Sequence, residues 1–498
     1  MRKSVFIAIM LTTGCTSLEN RLVGPPAEIT PPLPAVPDRW AAAGVVGTAE
    51  SGDWLAQFND PVLYDIIVEA ITGSPQVKTN AAQAEAAAEN ARAIYGRSLP
   101  SLRFTSQDGV VSSAFDLQDQ GIPGAPPEVV RITQSTFGLN FTASYEFDLW
   151  GRIAAANRAA SADFLATEAD LAAAALSLGG QAATAWMDLN EAQAQVKVAQ
   201  ITKDARQRVL DLTERRFSRG LSTALEVRTA RTQLAGAEAQ IASQQLLKAN
   251  AARRLEVLLG RYPANEIEGA GELPDLPPIQ IGGAPSLLIA RRPDVAAAEA
   301  RLNAAGLRAE EARLAILPAL SVSGSASTSD NVFQNIFDPE RIGANFLANF
   351  SQTVWNGGSL RAQKRANEAQ ARASAAQYAN TVLTAWREVE DAIDSDRLLN
   401  VQLEAQMRSL EEAILAENLG ERQYQNGLIN IFDLLNLQTT RLNTESQVIT
   451  ARANLARNRI SYHVALGGDG TNFRVDPTTD GYLSAKTDAV VEVSETAP

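Results

Sequence analysis

The sequence predicts a mainly α-helical protein with a small β part, built as a duplicated unit of two strands followed by one long helix. Three observations support this fold class. Residues 136–149 alternate strictly between small or polar and apolar side chains, residues 152–217 form a long stretch without proline, and the same order of features returns in the second half of the chain.

The alternating stretch predicts a β-strand, because a period of two places all its apolar side chains on one face. Its 14 residues far exceed the usual strand length of about 5–6 residues. The apolar positions are Phe137, Leu139, Phe141, Ala143, Tyr145, Phe147 and Leu149.

The stretch after this strand predicts one very long helix. Its 66 residues are rich in Ala, Leu, Gln, Glu and Arg, and at about 1.5 Å per residue they would span about 100 Å. A shorter helix is predicted over 221–259, after Gly220, and another over 75–99, before Pro100. These two together match the long helix in length, so we expect them to stack end to end in a cylinder of antiparallel helices.

The second half repeats the first half at two fixed offsets. Five positions from Pro75 to Leu102 recur 218 residues later, and Gly151, Gly220 and Gly260 recur as glycines 207 residues later. The difference of 11 residues falls in the strand–loop–strand segment, where loops vary most. The repeat therefore indicates a duplicated architecture. The second set of glycines is Gly358, Gly427 and Gly467.

The predicted domain boundaries follow from this repeat and from the composition of the chain ends. The first residues have a signal-peptide pattern, a Pro-rich tether follows, and the last segment is polar and acidic, which predicts a disordered tail. In chain order the predicted segments are the signal peptide 1–14, the tether 15–37, the first repeat 38–260, the connector 261–290, the second repeat 291–470 and the tail 471–498.

The single cysteine, Cys15, stands where a bacterial lipoprotein carries its lipid. Arg2 and Lys3 precede a short apolar segment, and Thr-Thr-Gly leads into Cys15. This resembles a lipobox, with Thr12 where Leu is usual. A plain signal peptide with an incidental cysteine is the alternative. Ser17 fits the outer-membrane sorting of the lipoproteins that this segment resembles.

The composition excludes several classes of function. A net charge of −13 and a pI near 4.9 argue against nucleic-acid binding, which needs a basic surface. One cysteine and one histidine leave no disulfide within the chain and no multi-Cys/His metal site. His463 has no nucleophile motif beside it, so we predict neither an enzyme nor a cofactor. No apolar run reaches the length of a transmembrane helix, so we expect any membrane crossing to use strands.

The second predicted strand pair, near 322–326 and 346–354, alternates less cleanly. Four strands per chain are too few to close a barrel, and lipid does not tolerate an open strand edge. Either several chains share one barrel, with twelve strands from a trimer, or the strands lie outside a membrane. In the first case Trp150 and Trp355, at the strand–helix junctions, would lie at the membrane–water interface.

These features resemble the TolC-type outer membrane efflux family and, through Cys15, its NodT-type lipoprotein branch. The shared features are the export signal, the duplicated plan over roughly residues 38–470, Asp-Leu-Trp-Gly-Arg at 148–152, and an aromatic-x-x-Gly turn at 217–220 and 424–427. The resemblance implies a homotrimer with a twelve-stranded outer-membrane β-barrel that continues into a periplasmic α-helical barrel. It also implies a channel without catalysis or cofactor, docked on a periplasmic adaptor protein and an inner-membrane transporter of the resistance-nodulation-division type.

The predicted function is the exit duct of a tripartite efflux system in the outer membrane, lipid-anchored and extending into the periplasm. It would pass small molecules whose identity the sequence does not specify. A duct for type I protein secretion and a periplasmic coiled-coil scaffold without a pore are the alternatives. The alternation over 136–149 favours a pore, because a scaffold needs no apolar-out strands.

The turns at Gly220 and Gly427 would form the periplasmic end of the duct, where the family has its gate. In the family, carboxylates six and nine residues after the second glycine can line this gate. Those positions are Asp433 and Asn436 here, and Glu226 is the equivalent of Asp433 in the first half. A ring of like charge in a narrow bore attracts cations. A solvated helix face is the alternative for these side chains.

Aromatic and basic residues crowd the same turns. Phe217 and Tyr424 are predicted to pack, with contact to a ligand as the alternative, and they would set how the tip helices close. Arg215, Arg216 and Arg219 would either meet an adaptor or pair with acids of the neighbouring turn. The alternative is the ordinary preference for basic side chains at a helix C-terminus.

Overall fold

The computed structural model describes residues 23–42, 58–116, 129–274, 276, 279 and 284–468. The chain forms two compact units. Among the described residues, one unit contains a β-sheet and draws on 23–31, 86–164 and 300–376, and the other is helical and draws on 32–85, 165–299 and 377–468. None of the helices in the described ranges is both long and apolar enough to cross a membrane. The predicted signal peptide, Cys15 and the predicted tail lie outside the described residues.

Helices and strands follow the same order in both halves, with two helices, two strands and two further helices. The first half contains α1 (Pro61–Gly73), α2 (Pro75–Gly96), β1 (Ser101–Asp116), β2 (Val129–Phe147), α3 (Arg152–Ser218) and α4 (Ala224–Leu258). The second half contains α5 (Pro285–Arg291), α6 (Pro293–Leu314), β3 (Ala319–Asp330), β4 (Gly343–Ser351), α7 (Ser359–Gln425) and α8 (Ile431–Ala465), with short 3₁₀ helices at Phe333–Phe337 and Pro339–Arg341 between β3 and β4.

Helix lengths confirm the predicted duplication. Helices α2 and α6 both have 22 residues, α3 and α7 both have 67, and α4 and α8 both have 35. The shorter helices end and begin inside their predicted ranges, because turn and cap residues occupy 97–100 and 221–223. A pair of short helices is therefore shorter than one long helix.

A short helix begins within the segment 261–290, which is predicted as a connector, and ends at Arg291. Helix α5 stands 218 residues after the last part of α1, residues 67–73, so it belongs to the repeat pattern. It has only 7 residues and no side-chain cap at its N-terminus. A helix this short leaves little periodicity to recognise.

The sheet is antiparallel in the order β1-β2-β3-β4. Phe104 stands opposite Phe141, with ring centroids 4.7 Å apart, and Phe141 stands opposite Ala326. Directly opposite residues share a face, so this register collects most of the large apolar side chains of the four strands on one face. The pairing confirms the second-half strands, whose alternation is weak. The apolar face includes Leu102, Phe104, Phe141, Ala143, Tyr145, Phe147, Leu320, Val322, Phe346 and Phe350.

Backbone pairing begins β2 at Val129, before the predicted start at 136, and β2 ends at Phe147, two residues before the predicted end. Strands β1 and β2 stay paired from Ser101 opposite Ser144 to Asp116 opposite Val129. In the second pair, β4 ends at Ser351, so Val354 of the predicted strand lies outside it and is 93% exposed. Hydrogen-bonded register, rather than side-chain alternation, sets where these strands end.

The core of the helical unit is built around the apolar face of α1. Leu63, Ile66, Ile67 and Ala70 are all buried. They pack with Trp186 and other buried residues of α3, α4 and α8. Separate apolar clusters join α7 to α8 and join the ends of α3 and α7 to the start of α8.

Glycines mark two close approaches within the helical unit. A Cβ on Gly180 would lie 2.6 Å from Cγ2 of Val464, so the pair Gly179-Gly180 stands where α3 packs closely against α8. A Cβ on Gly260 would lie 2.7 Å from the carbonyl oxygen of Gly73. The end of α4 therefore meets the end of α1, just before α2 begins, which agrees with the predicted end-to-end stacking.

Candidate functional site at the helical turns

Two turns join the long helices to the helices that follow them. We call residues 217–223 the first turn and residues 424–430 the second turn. Gly220 and Gly427 have φ of +73° and +74°, a left-handed conformation that glycine adopts without steric cost. In each turn the glycine N–H donates to the carbonyl three residues earlier, and the next N–H donates to the carbonyl five residues earlier, at 2.8–3.0 Å. This double closure ends a helix and reverses the chain.

Both predicted gate carboxylates belong to helix N-caps. The Thr223 hydroxyl accepts from the Glu226 N–H (3.3 Å), and the Glu226 carboxylate accepts from the Thr223 N–H (3.1 Å). The Asn430 side chain accepts from the Asp433 N–H (3.0 Å), and the Asp433 carboxylate accepts from the Asn430 N–H (3.3 Å). These capping boxes satisfy N–H groups that the first helical turn leaves open.

The caps hold the carboxylates without burying them. Asp433 and Asn436 are exposed, and Glu226 is half-buried. Asp433 and Asn436 stand three residues apart on α8, so they lie on the same side of that helix. The structure thus gives both carboxylates a capping role that the sequence prediction omitted. The Thr-x-x-Glu and Asn-x-x-Asp spacings were the available signal.

Tyr424 links the ends of the two long helices. It is 2% exposed, and its hydroxyl lies 3.2 Å from the Thr213 hydroxyl. The Arg216 guanidinium carbon lies 5.0 Å from the centre of the Tyr424 ring, and Arg216 Nη1 donates to the Tyr424 carbonyl at 2.9 Å. Tyr424 therefore packs as the sequence predicts. Neither the role of Thr213 nor the binding of Arg216 to the other long helix is predicted from the sequence.

The first turn presents its equivalent side chains to the outside. Phe217, the counterpart of Tyr424, is 48% exposed. Arg215 and Arg219 are exposed as well. Although their backbones match, the second turn buries its aromatic ring, whereas the first turn leaves its ring, which was predicted to pack, and two guanidinium groups accessible.

Ion pairs brace the helices behind each turn. Between α3 and α4, Arg231 donates to Glu214 at 2.7 and 3.1 Å. Between α7 and α8, Arg441 donates to Glu417 at 2.7 Å and also pairs with Glu445. The Arg441–Glu417 pair is mostly buried and the Arg231–Glu214 pair is exposed. Solvent therefore screens the Arg231–Glu214 ion pair, next to the first turn, more strongly than the Arg441–Glu417 pair.

The two predicted interface tryptophans have different surroundings. Trp150 is half-buried beside Leu314 and Leu317, and its indole N–H donates to the Pro318 carbonyl at 2.7 Å. Trp355 is 84% exposed. Only the first ring is thus held in place by contacts within the sheet unit.

His463 is half-buried on α8, with its ring centroid 5.4 Å from that of Tyr462. Burial, together with the charge of Arg459, lowers its pKa to about 4. Its imidazole is therefore neutral at neutral pH. Within the described ranges, no group of three or more His, Cys, Asp or Glu side chains is arranged to hold a metal ion.

Solved structures of membrane channels share this fold. The chain aligns with the outer-membrane channel OprN at a TM-score of 0.78 and 26% identity, covering 89% of this chain and 98% of OprN. It aligns with a membrane protein from Pseudomonas aeruginosa at a TM-score of 0.79 and 27% identity, covering 89% and 97% of the two chains. The fold therefore defines the class of protein, an outer-membrane channel of the TolC type.

The family model described as "Outer membrane efflux protein" matches residues 66–261 and 284–468, more than half of the chain and one segment per repeat. The chain belongs to this family of efflux ducts. It is 29% identical over 442 residues to the pyoverdine export outer membrane protein OpmQ of Pseudomonas aeruginosa, covering 87% of this chain and 91% of OpmQ. It is 26% identical over 429 residues to the probable efflux pump outer membrane protein TtgC of Pseudomonas putida, covering 85% and 86%. The predicted family and efflux-channel function are confirmed.

Proposed function

We propose that three copies of this chain form one duct, with a twelve-stranded barrel in the outer membrane and a helical tunnel in the periplasm, through which small molecules pass passively. The supporting observation is the sheet. Its apolar face is exposed in the single chain, with Leu102 75% and Phe346 74% exposed, and the outer edges of β1 and β4 have no partner strand within the described fold. Lipid would cover such a face, and further copies would pair with such edges.

The names of the relatives support a small-molecule duct served by a pump. OpmQ is named for pyoverdine export, and other relatives in Pseudomonas putida are named as outer membrane proteins of antibiotic, toluene and solvent efflux pumps. We propose that a periplasmic adaptor and an inner-membrane transporter of the resistance-nodulation-division type deliver the cargo. The exposed first turn, with Phe217 and Arg219, would meet the adaptor.

Three residues would hold each chain in the outer membrane. A lipid on Cys15 would hold each chain to the outer membrane, as its lipobox-like surroundings suggest. Trp150 and Trp355 would lie at the membrane–water interface, because both stand where a strand passes into a helix.

Native mass spectrometry of the purified full-length protein tests assembly and anchoring together. We expect a complex of three chains, each carrying an acyl modification at Cys15. A single chain would contradict the shared barrel. A trimer without the added acyl mass would agree with the proposed duct and contradict the proposed lipid anchor.

The second turn supplies the proposed gate. Asp433 is exposed on the first helical turn of α8, with one carboxylate oxygen held by the N-cap. Three copies would bring three such carboxylates to one end of the tunnel, with Glu226 as the half-buried equivalent and Asn436 as an uncharged position on the same side of α8. The capping bond would hold each charge in place, which strengthens the local potential.

Replacing Asp433 with Asn is expected to lower the cation-to-anion permeability ratio about twofold or more, because it removes one negative charge per chain from the proposed ring. The helix should still form, because an Asn side chain can accept the same N-cap bond. The reversal potential in a salt gradient across a planar bilayer measures the change.

Asn436→Asp is the matched control for this substitution, since it adds a charge three residues away on the same side of α8. We expect it to raise the cation preference, and we expect Glu226→Gln to have the smaller effect of a half-buried group. If Asp433→Asn and Asn436→Asp both leave the reversal potential unchanged, these positions do not line the gate.

A further inference from the structure

The sheet also has a polar face, opposite the apolar one. Its side chains are mainly hydroxyls and amides. Two pairs of them join neighbouring strands: the Ser101 and Ser144 hydroxyl oxygens lie 2.8 Å apart, and the Ser325 hydroxyl donates to the Asn345 side-chain oxygen at 3.2 Å. Successive side chains of a strand point to opposite faces. If the apolar face meets lipid, as proposed above, the polar face therefore lines the bore of the barrel.

Arg103 is an exception on this polar face. It stands near the start of β1, and the row that crosses the sheet at its level continues through Thr142, Ser325 and Asn345. These three partners are uncharged. Arg103 is exposed, and among the described residues it forms no ion pair. Its guanidinium group is thus open to solutes on the polar face.

One other charged residue, Glu146, stands on the polar face of the four described strands. It lies four residues beyond Thr142 on β2, which is about 13 Å along the strand at about 3.3 Å per residue. The Glu146 carboxylate already pairs with Arg152 at 2.7 Å. Within one chain, Glu146 therefore leaves the charge of Arg103 uncompensated.

The adjoining strand of a second copy would not supply a carboxylate either. Arg103 lies on β1, one outer strand of the sheet, and β4 is the other outer strand. A barrel shared by several copies would close by pairing β1 of one copy with β4 of the next. Because β4 (Gly343–Ser351) contains no charged residue, no register of that pairing places a carboxylate of β4 beside Arg103. Three symmetric copies would thus carry three uncompensated guanidinium groups at one level of the bore.

We propose that Arg103 of the three copies forms a ring of positive charge in the bore of the barrel, which attracts solutes that carry an oxyanion group such as a carboxylate. This rests on the proposed three-chain duct and adds a charge preference inside its barrel. A guanidinium group stays protonated and binds oxyanions through two parallel N–H bonds. Like charges held around a bore raise the local concentration of counter-ions, so the ring favours anionic over cationic solutes in the barrel.

The electrostatic potential at a thiol beside Arg103 tests this ring. Thr142→Cys places a thiol directly opposite Arg103, where a sulfonate-bearing and a trimethylammonium-bearing methanethiosulfonate can modify it in full-length protein reconstituted in lipid vesicles. The ratio of the anionic to the cationic rate reports the local potential and cancels changes in the reactivity of the thiol itself. We expect Arg103→Gln to lower this ratio about threefold or more in about 10 mM salt, where charges act over about 30 Å. Mass spectrometry of the peptide that contains residue 142 measures both rates.

Two further variants serve as controls. Arg103→Lys keeps the positive charge, so it should keep the rate ratio close to that of Thr142→Cys alone. Ala143→Cys changes the next residue of β2, which stands on the apolar face, so both charged reagents should leave it unmodified. In about 1 M salt, where the Debye length is about 3 Å, the effect of Arg103→Gln should almost disappear.

The outcomes separate this ring from the proposed duct. A reactive thiol at residue 142 of a three-chain complex, with a rate ratio that neither Arg103→Gln nor added salt changes, would overturn the ring and agree with the duct. The salt dependence needs no change at Arg103, so it decides the question even where an Arg103 variant fails to assemble. A thiol at residue 142 that neither reagent modifies would contradict both the ring and the duct, because the polar face would then not line a water-filled bore. Modification of Ala143→Cys would contradict both as well.

Discussion

Replacing Asp396 with Ala is expected to lower the free energy of unfolding by about 3–5 kcal/mol, because it breaks a buried ion pair from one side. The Asp396 carboxylate accepts from Arg459 Nε at 2.9 Å, and the two side chains are only 6% and 2% exposed. The other carboxylate oxygen accepts from the Asn400 amide at 2.9 Å. Without Asp396, the Arg459 guanidinium loses the charge that compensates it in the core between α7 and α8.

The first repeat supplies the matched control for this substitution. The same two positions, 207 residues earlier, hold Leu189 and Ala252, which are fully buried. Combining Asp396→Leu with Arg459→Ala copies that apolar pair, and we expect it to cost less stability than Asp396→Ala, since a buried pair replaced as a whole leaves no charge behind.

Thermal unfolding of the helical circular dichroism signal, in detergent micelles, measures these changes. Full stability of Asp396→Ala would contradict a buried compensating charge. A double variant that is less stable than Asp396→Ala would contradict the equivalence of the two repeats at these positions.

Replacing Glu256 with Ala is expected to destabilise the helical unit by about 1–3 kcal/mol, because it removes the charged acceptor of three part-buried backbone N–H groups. The Glu256 side chain is 1% exposed and stands near the end of α4. Its carboxylate accepts from the N–H groups of Asn265, Glu266 and Ile267 at 2.8, 2.6 and 3.3 Å. This one side chain thus holds the start of the connector onto the helix.

The stability that Glu256 contributes should depend on pH. Burial acts to raise its pKa, but the three backbone hydrogen bonds and the charge of Arg253 outweigh burial, so the pKa lies below its usual value. A carboxylate whose pKa is lower in the folded state stabilises fully above its unfolded pKa of about 4.3 and loses that contribution as pH falls through the folded value.

Unfolding midpoints of the wild type and of Glu256→Gln, measured from pH 7 down to pH 3, test this dependence. We expect their difference to shrink in the acid part of the range. Glu266→Gln is the control, because the Glu266 side chain is exposed in the same segment. A difference that stays constant with pH would contradict an ionised Glu256.

The sequence predicts the long elements well because their patterns extend over many residues. Helix α3 is predicted over 152–217 and observed over Arg152–Ser218, since its long proline-free stretch leaves little ambiguity. The repeat identifies its partner α7 and the second strand pair, although the alternation there is weak. The seven-residue helix α5 is missed because it is too short for a period to appear.

The details of the turns depend on partners that are distant in sequence. Gly220 and Gly427 mark where the long helices end, but burial of Tyr424 depends on Thr213 and Arg216, which lie more than 200 residues away. The sequence predicts that Tyr424 and Phe217 both pack. Only the three-dimensional structure shows that the Tyr424 ring is buried and the Phe217 ring is exposed. The capping boxes, in contrast, are local, so residue spacing alone is sufficient to predict them.

The measurement that tests the duct most directly is single-channel recording of the purified full-length protein in a planar lipid bilayer. We expect discrete, stable conductance steps from the three-chain complex, and no steps from protein that has been dissociated into single chains. A three-chain complex that inserts into the bilayer and leaves its conductance at the level of bare lipid would contradict a continuous passage through the molecule.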